Sequence, residues 1–222
     1  MALYLGTQLI TPCSLFRKKS GIDEYTLLYL RNGSSEDLSQ YHQTVTLTNV
    51  SSVADAGRFS GDAFYFNGNN CSILAPNLIN GNMDFTIDFW AKMQQYNRGN
   101  TLWSHGGSGL AAGVGGVLEA YYDKTWIYYS GGFLIQNGTY SLNTWHHVAF
   151  VGEGTKITLY IDGIAVRETA FSYNYGSQYQ ERFGMNDAAH GETLLGYMDE
   201  IRVSNIARWT SNFTPPDKPY GE

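Results

Sequence analysis

Helical periodicity is nearly absent from this chain. Short apolar runs separated by turn residues recur along it instead, which predicts strands. FTIDF alternates cleanly: Phe85, Ile87 and Phe89 take one face, Thr86 and Asp88 the other. Trp90 then interrupts the polar face, so both faces of this strand are expected to be covered. The segment KITLYIDGIAVRE predicts a hairpin, because Asp162-Gly163 suits the two positive-φ positions of a type I′ turn. A two-residue loop would set Ile161 against Ile164 and Leu159 against Val166 on the core face. Tyr160 would then oppose Ala165, and Thr158 would oppose Arg167.

A second hairpin is expected in VLEAYYDKTWIYYSGG, turning at Asp123-Lys124. A further strand is expected from Met198 to Val203, with Ile201 and Val203 on one face and Glu200 and Arg202 on the other. SNIARWT (204–210) reads as one short helical turn capped by Ser204. Pro215, Pro216 and Pro219 end regular structure. Residues 1–21 differ from the rest: a short apolar strand, Pro12 and a basic stretch make them an N-terminal arm. Residues 22–222 then form one all-β, two-sheet antiparallel sandwich. A chain of 222 residues buries roughly 70% of its unfolded surface and needs no covalent staples.

Aromatic and charged residues each make up 15% of the chain, and glycine contributes 25 residues, a mix that favours strands and turns. The net charge of -6, with no basic run longer than Arg17-Lys18-Lys19, argues against nucleic-acid binding. No stretch is long and apolar enough for a membrane span. The N-terminus lacks the basic and apolar regions of a signal peptide, so synthesis in a cytoplasm is expected. On that expectation the sequons at Asn32, Asn49, Asn70, Asn137 and Asn212 carry no glycan. Two cysteines, Cys13 and Cys71, leave pairing open but do not make a disulfide scaffold.

DAFYFNGNN (62–70), FTIDFWAKM (85–93), TWHHVAFV (144–151) with ITLYIDGIAV (157–166), and GYMDEIRVSNIARWTSNFTPP (196–216) together resemble the laminin G-like group of the concanavalin A-like superfamily. They run in the family's order and cover roughly residues 25–216. The closing ARWTSNFTPP is most similar to versions in bacteriophage tail and virion proteins, and MALYLGTQLITP is similar to the start of such proteins. The resemblance implies a jelly-roll sandwich of about a dozen strands, often binding glycans or proteins, some members holding calcium at the rim. It implies a virion-associated, lectin-like module recognising host-surface glycan. The arm would join other virion proteins or a second copy in a homo-oligomer. The alternative is a decoration protein that contacts neighbouring virion subunits without binding glycan.

A polysaccharide-degrading enzyme is the third reading. The closely spaced acids of glucanases on this fold (E-x-D-x-E or E-x-D-x-x-E) are absent, as are serine-triad, phosphate-loop and zinc signatures. Glu119 and Asp123 flank a proposed turn, and Asp199-Glu200 sit in a family motif. No catalytic residue is therefore assigned. His146 and His147 alternate faces on a strand and do not share a metal; one is expected packed and one exposed. Asn67, Asn69, Asp84, Asp187 and Asp199 are possible calcium donors, but their spacing fixes no site.

Trp90 and Trp145 are expected in the core. Aromatics in or beside Gly/Ser/Asn-rich loops, Tyr121, Tyr129 and Tyr179 among them, suit a sugar face or an interface. TLWSHGGSG, YYDKTWIYY and FSYNYGSQY are the segments richest in aromatic and small polar residues. Side chains from at least two of them are expected to form one exposed patch. Its contacts would be Trp103, Trp126, Tyr128, Tyr173 and Tyr175, with Ser104, Asn174 and Gln178 orienting a ligand.

Overall fold

The computed structural model describes residues 3–5, 8–10, 21–96, 99–107, 110–186 and 192–222. In chain order the strands are β1 (Leu3–Leu5), β2 (Gln8–Ile10), β3 (Thr26–Leu30), β4 (Thr46–Thr48), β5 (Val50–Val53) and β6 (Ala63–Asn67). There follow β7 (Ser72–Ala75), β8 (Phe85–Met93), β9 (Asn100–His105), β10 (Gly116–Ala120), β11 (Trp126–Ser130) and β12 (Phe133–Asn137). The last are β13 (His146–Glu153), β14 (Lys156–Ile161), β15 (Ile164–Ala170), β16 (Glu181–Phe183) and β17 (Leu195–Ser204).

Two antiparallel sheets face each other. One has the order β12-β11-β10-β9-β16-β7-β4; the other runs β15-β14-β13-β8-β17-β6-β5, with β3 also paired to β17. The expected all-β sandwich is what the chain forms. β1 and β2 pair with each other as a separate two-stranded sheet. Cys13 and the basic stretch of the arm lie outside the described residues. Cys71 is a buried free thiol that donates to Asn67 Oδ1.

The alternation in FTIDF decides what fills the space between the sheets. Phe85, Ile87 and Phe89 point inward and meet the opposite sheet. Phe89 lies 6.3 Å from Phe183 of the facing sheet, and Phe85 lies 5.6 Å from Phe150 on the neighbouring strand β13, measured between ring centroids. The other face of β8 is also covered, as Trp90 predicts. Thr86 and Asp88 are buried beneath residues 205–222, which run back across the sheet as a strap. Thr86 brackets that strap, its hydroxyl donating to Ile206 O at 2.7 Å and accepting from Arg208 N at 2.8 Å. SNIARWT is therefore extended rather than helical: its backbone bonds to β8, and Ser204 Oγ accepts from Arg208 Nε instead of capping a turn. Trp209 and Phe213 stack at 4.1 Å over Ala149, Val151 and Tyr160, a second apolar cluster outside the main core.

The expected turns form at Asp162-Gly163, where both residues have positive φ, and around Asp123-Lys124. A Cβ on Gly163 would sit 1.9 Å from Phe213 O, so this glycine also lets the strap pass. The first pairs of that hairpin are as expected, Ile161 with Ile164 and Tyr160 with Ala165. A bulge then shifts the register, so Leu159 opposes Arg167, and Thr158 opposes Glu168. Leu159 and Ile161 are core, Val166 is half-buried, and Ile164 is 54% exposed because β15 is the edge strand. The expectation of four buried side chains thus holds for two.

Both adjacent histidines are buried, not one, because the strap covers the outer face that His147 occupies. His146 Nδ1 donates to Asp162 Oδ2 at 2.8 Å, its Nε2 accepting from Ser141 N, while His147 Nε2 meets Tyr220 Oη at 3.0 Å. Trp90 is buried under the Arg58 guanidinium; Trp145 is only half-buried, with Lys92 Nζ 4.9 Å from its ring.

The strap ends on Glu200, whose Oε2 accepts from Tyr29 Oη at 2.7 Å and Tyr220 N at 2.9 Å. Burial pushes this carboxyl up to about 7 despite those hydrogen bonds. The folded state therefore holds the proton more tightly than the unfolded chain. The associated stability is complete below the ordinary value of 4.5 and is lost as pH rises to about 7. Thermal melts should show a decline from about pH 5 to about pH 8 worth on the order of 3 kcal/mol, flattened in Glu200→Gln. The hairpin gives a second test. Leu159→Ala should cost about 2–5 kcal/mol in denaturant unfolding, whereas Ile164→Ala should change stability by less than about 1 kcal/mol.

Candidate functional site

The aromatic patch expected at the surface lies inside the protein. Trp103, Trp126, Tyr128, Tyr173 and Tyr175 are all buried, and all belong to the main core. Trp103, Tyr128 and Phe183 fall in register across the seven-stranded sheet on its inner face. Tyr128 Oη and Tyr175 Oη bond at 2.8 Å, so even the polar tips are used internally. Phe171, Tyr173 and Tyr175 alternate inward along FSYNY while Ser172 and Asn174 point out. That period of two, present in the sequence, is the signature of a half-buried extended segment and identifies these rings as core. The segment is held across the sandwich opening by the reciprocal backbone bonds of Gly81 and Tyr175.

Two of the three expected segments nevertheless converge, through their polar parts. Ser104, Gly106 and Gly107 from TLWSHGGSG meet Gln178 and Tyr179 from FSYNYGSQY, with Gln180 and Arg182 completing a pocket of about 240 Å³. It lies at one end of the outer face of the seven-stranded sheet, where β9 leaves and β16 enters. Ser104 forms its floor: the residue is buried and its Oγ donates to Met185 O at 3.0 Å, leaving the oxygen lone pairs as acceptors. Gln178 and Gln180 are exposed at the rim; Tyr179 and Arg182 are half-buried. Arg182 Nη1 donates to Asn186 O at 3.3 Å. A larger hollow of about 510 Å³ lies between Gly21-Ile22 and the end of the strap, 216–222. Its lining includes Asp217, Lys218, Tyr220 and Glu222, and it adjoins the segment 11–20, which lies outside the described residues.

A buried carboxylate holds the pocket's walls in place. Glu181 accepts from Leu78 N, Ile79 N, His105 Nδ1 and Trp103 Nε1 at 2.8–3.3 Å. Charge-assisted bonds of this kind tie β16, β9 and the 76–80 loop to one group. His105 Nε2 reaches Gly176 O at 3.0 Å, and Asn77 Nδ2 donates to Tyr179 O at 2.8 Å, fixing the 176–180 turn. Gly106 has φ of 66°, and a Cβ there would lie 2.6 Å from the Tyr179 ring. Only glycine lets the tyrosine lie against this turn. Arg182 and Gln180 escaped sequence reasoning because they are separated by one residue in an unremarkable QER stretch. Their only signal was proximity to the Gly/Ser/Gln turn before it.

The remaining polar candidates are engaged structurally. Asn67 Oδ1 accepts from Asn69 N and Cys71 Sγ, Asp84 Oδ1 from Gly154 N, and Asp199 from the backbone of Asn32, Arg58 and Glu200. Asp187 lies outside the described residues. Among the described residues no group of three His, Cys, Asp or Glu side chains converges as a metal site. Asn67, Asp84 and Asp199 thus each accept from a backbone N–H. Glu119 accepts from Thr101 Oγ1, and Asp123 closes its own turn with Thr125.

Residues 65–211, about two thirds of the chain, match a laminin G-type family model. The chain belongs to the concanavalin A-like lectin/glucanases superfamily. No curated protein matches it significantly. Among solved structures it is similar to domain 4 of AbnA, a GH43 extracellular arabinanase from Geobacillus stearothermophilus, in complex with arabinotriose. The TM-score is 0.65 at 17% identity, covering 85% of this chain and 94% of that domain. It is also similar to Trypanosoma rangeli sialidase, with a TM-score of 0.66 at 15% identity, covering 83% of this chain and 31% of the sialidase. The chain thus spans about a third of the sialidase but nearly all of the arabinanase domain. At these identities the likenesses show the superfamily's fold.

Burial separates the two classes of site residue by stability. Trp103→Ala should cost about 3–5 kcal/mol in denaturant unfolding, because it empties the core and strips a donor from Glu181. Gln178→Ala should stay within about 0.5 kcal/mol of the parent protein.

Proposed function

We propose that the protein is a non-catalytic, lectin-like module that binds carbohydrate in the pocket between Gly106-Gly107 and Gln178–Arg182. The observation that carries this reading is the chemistry of that lining. Two glutamine amides, an arginine and a serine oxygen offer donors and acceptors in several directions, beside the Tyr179 ring that lies against Gly106. Sugar hydroxyls ask for both donors and acceptors, and a ring face asks for an aromatic neighbour. The walls are pinned by Glu181, so little ordering is needed when a ligand enters.

The fold supports the same reading: the arabinanase domain, similar over nearly its whole length, was solved with arabinotriose. The non-catalytic part rests on the carboxylates. Those nearest the pocket and along the sheet, Glu181 and Glu119, are committed to structural hydrogen bonds rather than paired across an open cleft. A virion setting, with host-surface glycan as the ligand and the N-terminal arm as the attachment to other virion proteins or a second copy, rests on the ARWTSNFTPP and MALYLGTQLITP resemblances.

Glycan-array screening followed by titration calorimetry tests the reading. The parent protein should bind at least one glycan class, and Gln178→Ala/Gln180→Ala should weaken that binding about tenfold, the value of roughly 1.4 kcal/mol of lost hydrogen bonding. The melting temperature should not move. Full affinity in the double variant would remove the pocket from the function.

A further inference from the structure

At the opposite end of the same sheet the chain exposes aromatic rings on a stiff support. Tyr122 is 56% exposed and Tyr96 is 36% exposed, two of the six large apolar side chains exposed among the described residues. Tyr122 projects from the β10–β11 turn and leans on Tyr121, with ring centroids 4.6 Å apart. Tyr96, in the connection after β8, rests on Tyr140 at 5.5 Å, which rests in turn on buried Trp126 at 5.4 Å. Lys124 Nζ lies 5.0 Å from the Tyr96 ring. The turn itself is tied down. Tyr140 Oη donates to Tyr121 O at 2.8 Å, Tyr140 N donates to Lys124 O at 3.0 Å, and Asp123 accepts from Thr125 N, Thr125 Oγ1 and Gln136 Nε2.

We infer that Tyr96 and Tyr122 form a second carbohydrate contact, a stacking surface for sugar rings of a long chain whose other part occupies the polar pocket. This rests on the glycan-binding reading of that pocket. The two places are complementary. The pocket supplies hydrogen bonds with one partly covered ring; this end supplies the more exposed Tyr122 ring, the Tyr96 ring with the Lys124 ammonium over it, and the Asp123 carboxylate. They sit at opposite ends of β9, whose six residues, Asn100–His105, span roughly 20 Å. A trisaccharide held in the pocket does not cover that span, whereas a polysaccharide crosses it. Rings already propped by buried neighbours lose little freedom on binding, which is where an exposed aromatic contributes most.

The test uses the full chain in affinity gel electrophoresis with arabinan, xylan, laminarin and galactomannan, and titration with the trisaccharide of whichever polymer retards the protein. Tyr96→Ala/Tyr122→Ala should lose about tenfold in polymer affinity and keep the parent affinity for the trisaccharide. Tyr122→Ser alone, on an exposed turn position, should lose part of the polymer affinity with an unchanged melting temperature. Parent-like retardation of both variants overturns the inference while leaving the pocket standing. Loss of retardation here, together with full trisaccharide affinity in Gln178→Ala/Gln180→Ala, keeps this surface and removes the pocket. A parent protein retarded by none of the four polymers overturns the inference, and the glycan array then decides the pocket by itself.

Discussion

The structure depends on one buried ion pair. Asp88 and Arg202 lie on the outward face of the central strands β8 and β17, and neither side chain reaches solvent. A charge in that position is expensive unless fully partnered. Here the guanidinium meets both carboxylate oxygens at 3.0 Å, and the Tyr220 hydroxyl donates to the same group. Burial alone would push the Asp88 carboxyl up; the Arg202 charge and hydrogen bonds, with His147 Nε2 3.7 Å away, overcome it and hold the group down to about 2. The pair requires a lid, and the strap from 205 to 222 is that lid. Its bracket on Thr86, the Arg208–Asp23 ion pair at 2.7 Å and the Tyr220 anchor all close around it. The strap covers this sheet around the ion pair, over Thr86, Asp88, Ala149 and Val151, while the polar pocket lies on the other sheet.

Legibility followed the range of the signal. FTIDF and the Asp162-Gly163 turn carry their structure within a few residues, so strand, turn and the first two pairs of the hairpin could be read directly. The bulge after Tyr160 could not. It answers to where β15 meets β12 and the strap, a contact between segments distant in sequence. The helical reading of SNIARWT failed for a related reason. A Ser cap and a short polar-apolar run are local cues, and the bonds from Thr86 that hold this stretch extended come from 120 residues away.

The site was legible in its segments and not in its side chains. TLWSHGGSG and FSYNYGSQY do meet, but the residues facing outward are Ser104, Gln178 and the glycines rather than the tryptophan and tyrosines. The gap between sheets explains this. Facing sheets stand about 10 Å apart, and the inner positions of β9, β11 and the 171–175 crossing fill that depth with their largest side chains. Trp103, Tyr128 and Tyr175 are spent on the core, each with its polar tip satisfied internally or by Glu181.

The rings left for solvent are those whose backbone has turned out of the sheet. Tyr122 sits on the β10–β11 turn and Tyr96 in the β8–β9 connection, where alternation no longer directs side chains into the core. An aromatic count along the sequence does not separate these two classes; position relative to the turn does. A strand ring on the inward-facing alternate belongs to the core, as Trp103 and Tyr128 do, whereas Tyr122 beside the Asp123-Lys124 turn is exposed. The chemistry of this sheet therefore concentrates at its two ends, with amides and an arginine at one and tyrosines at the other, joined by the length of β9.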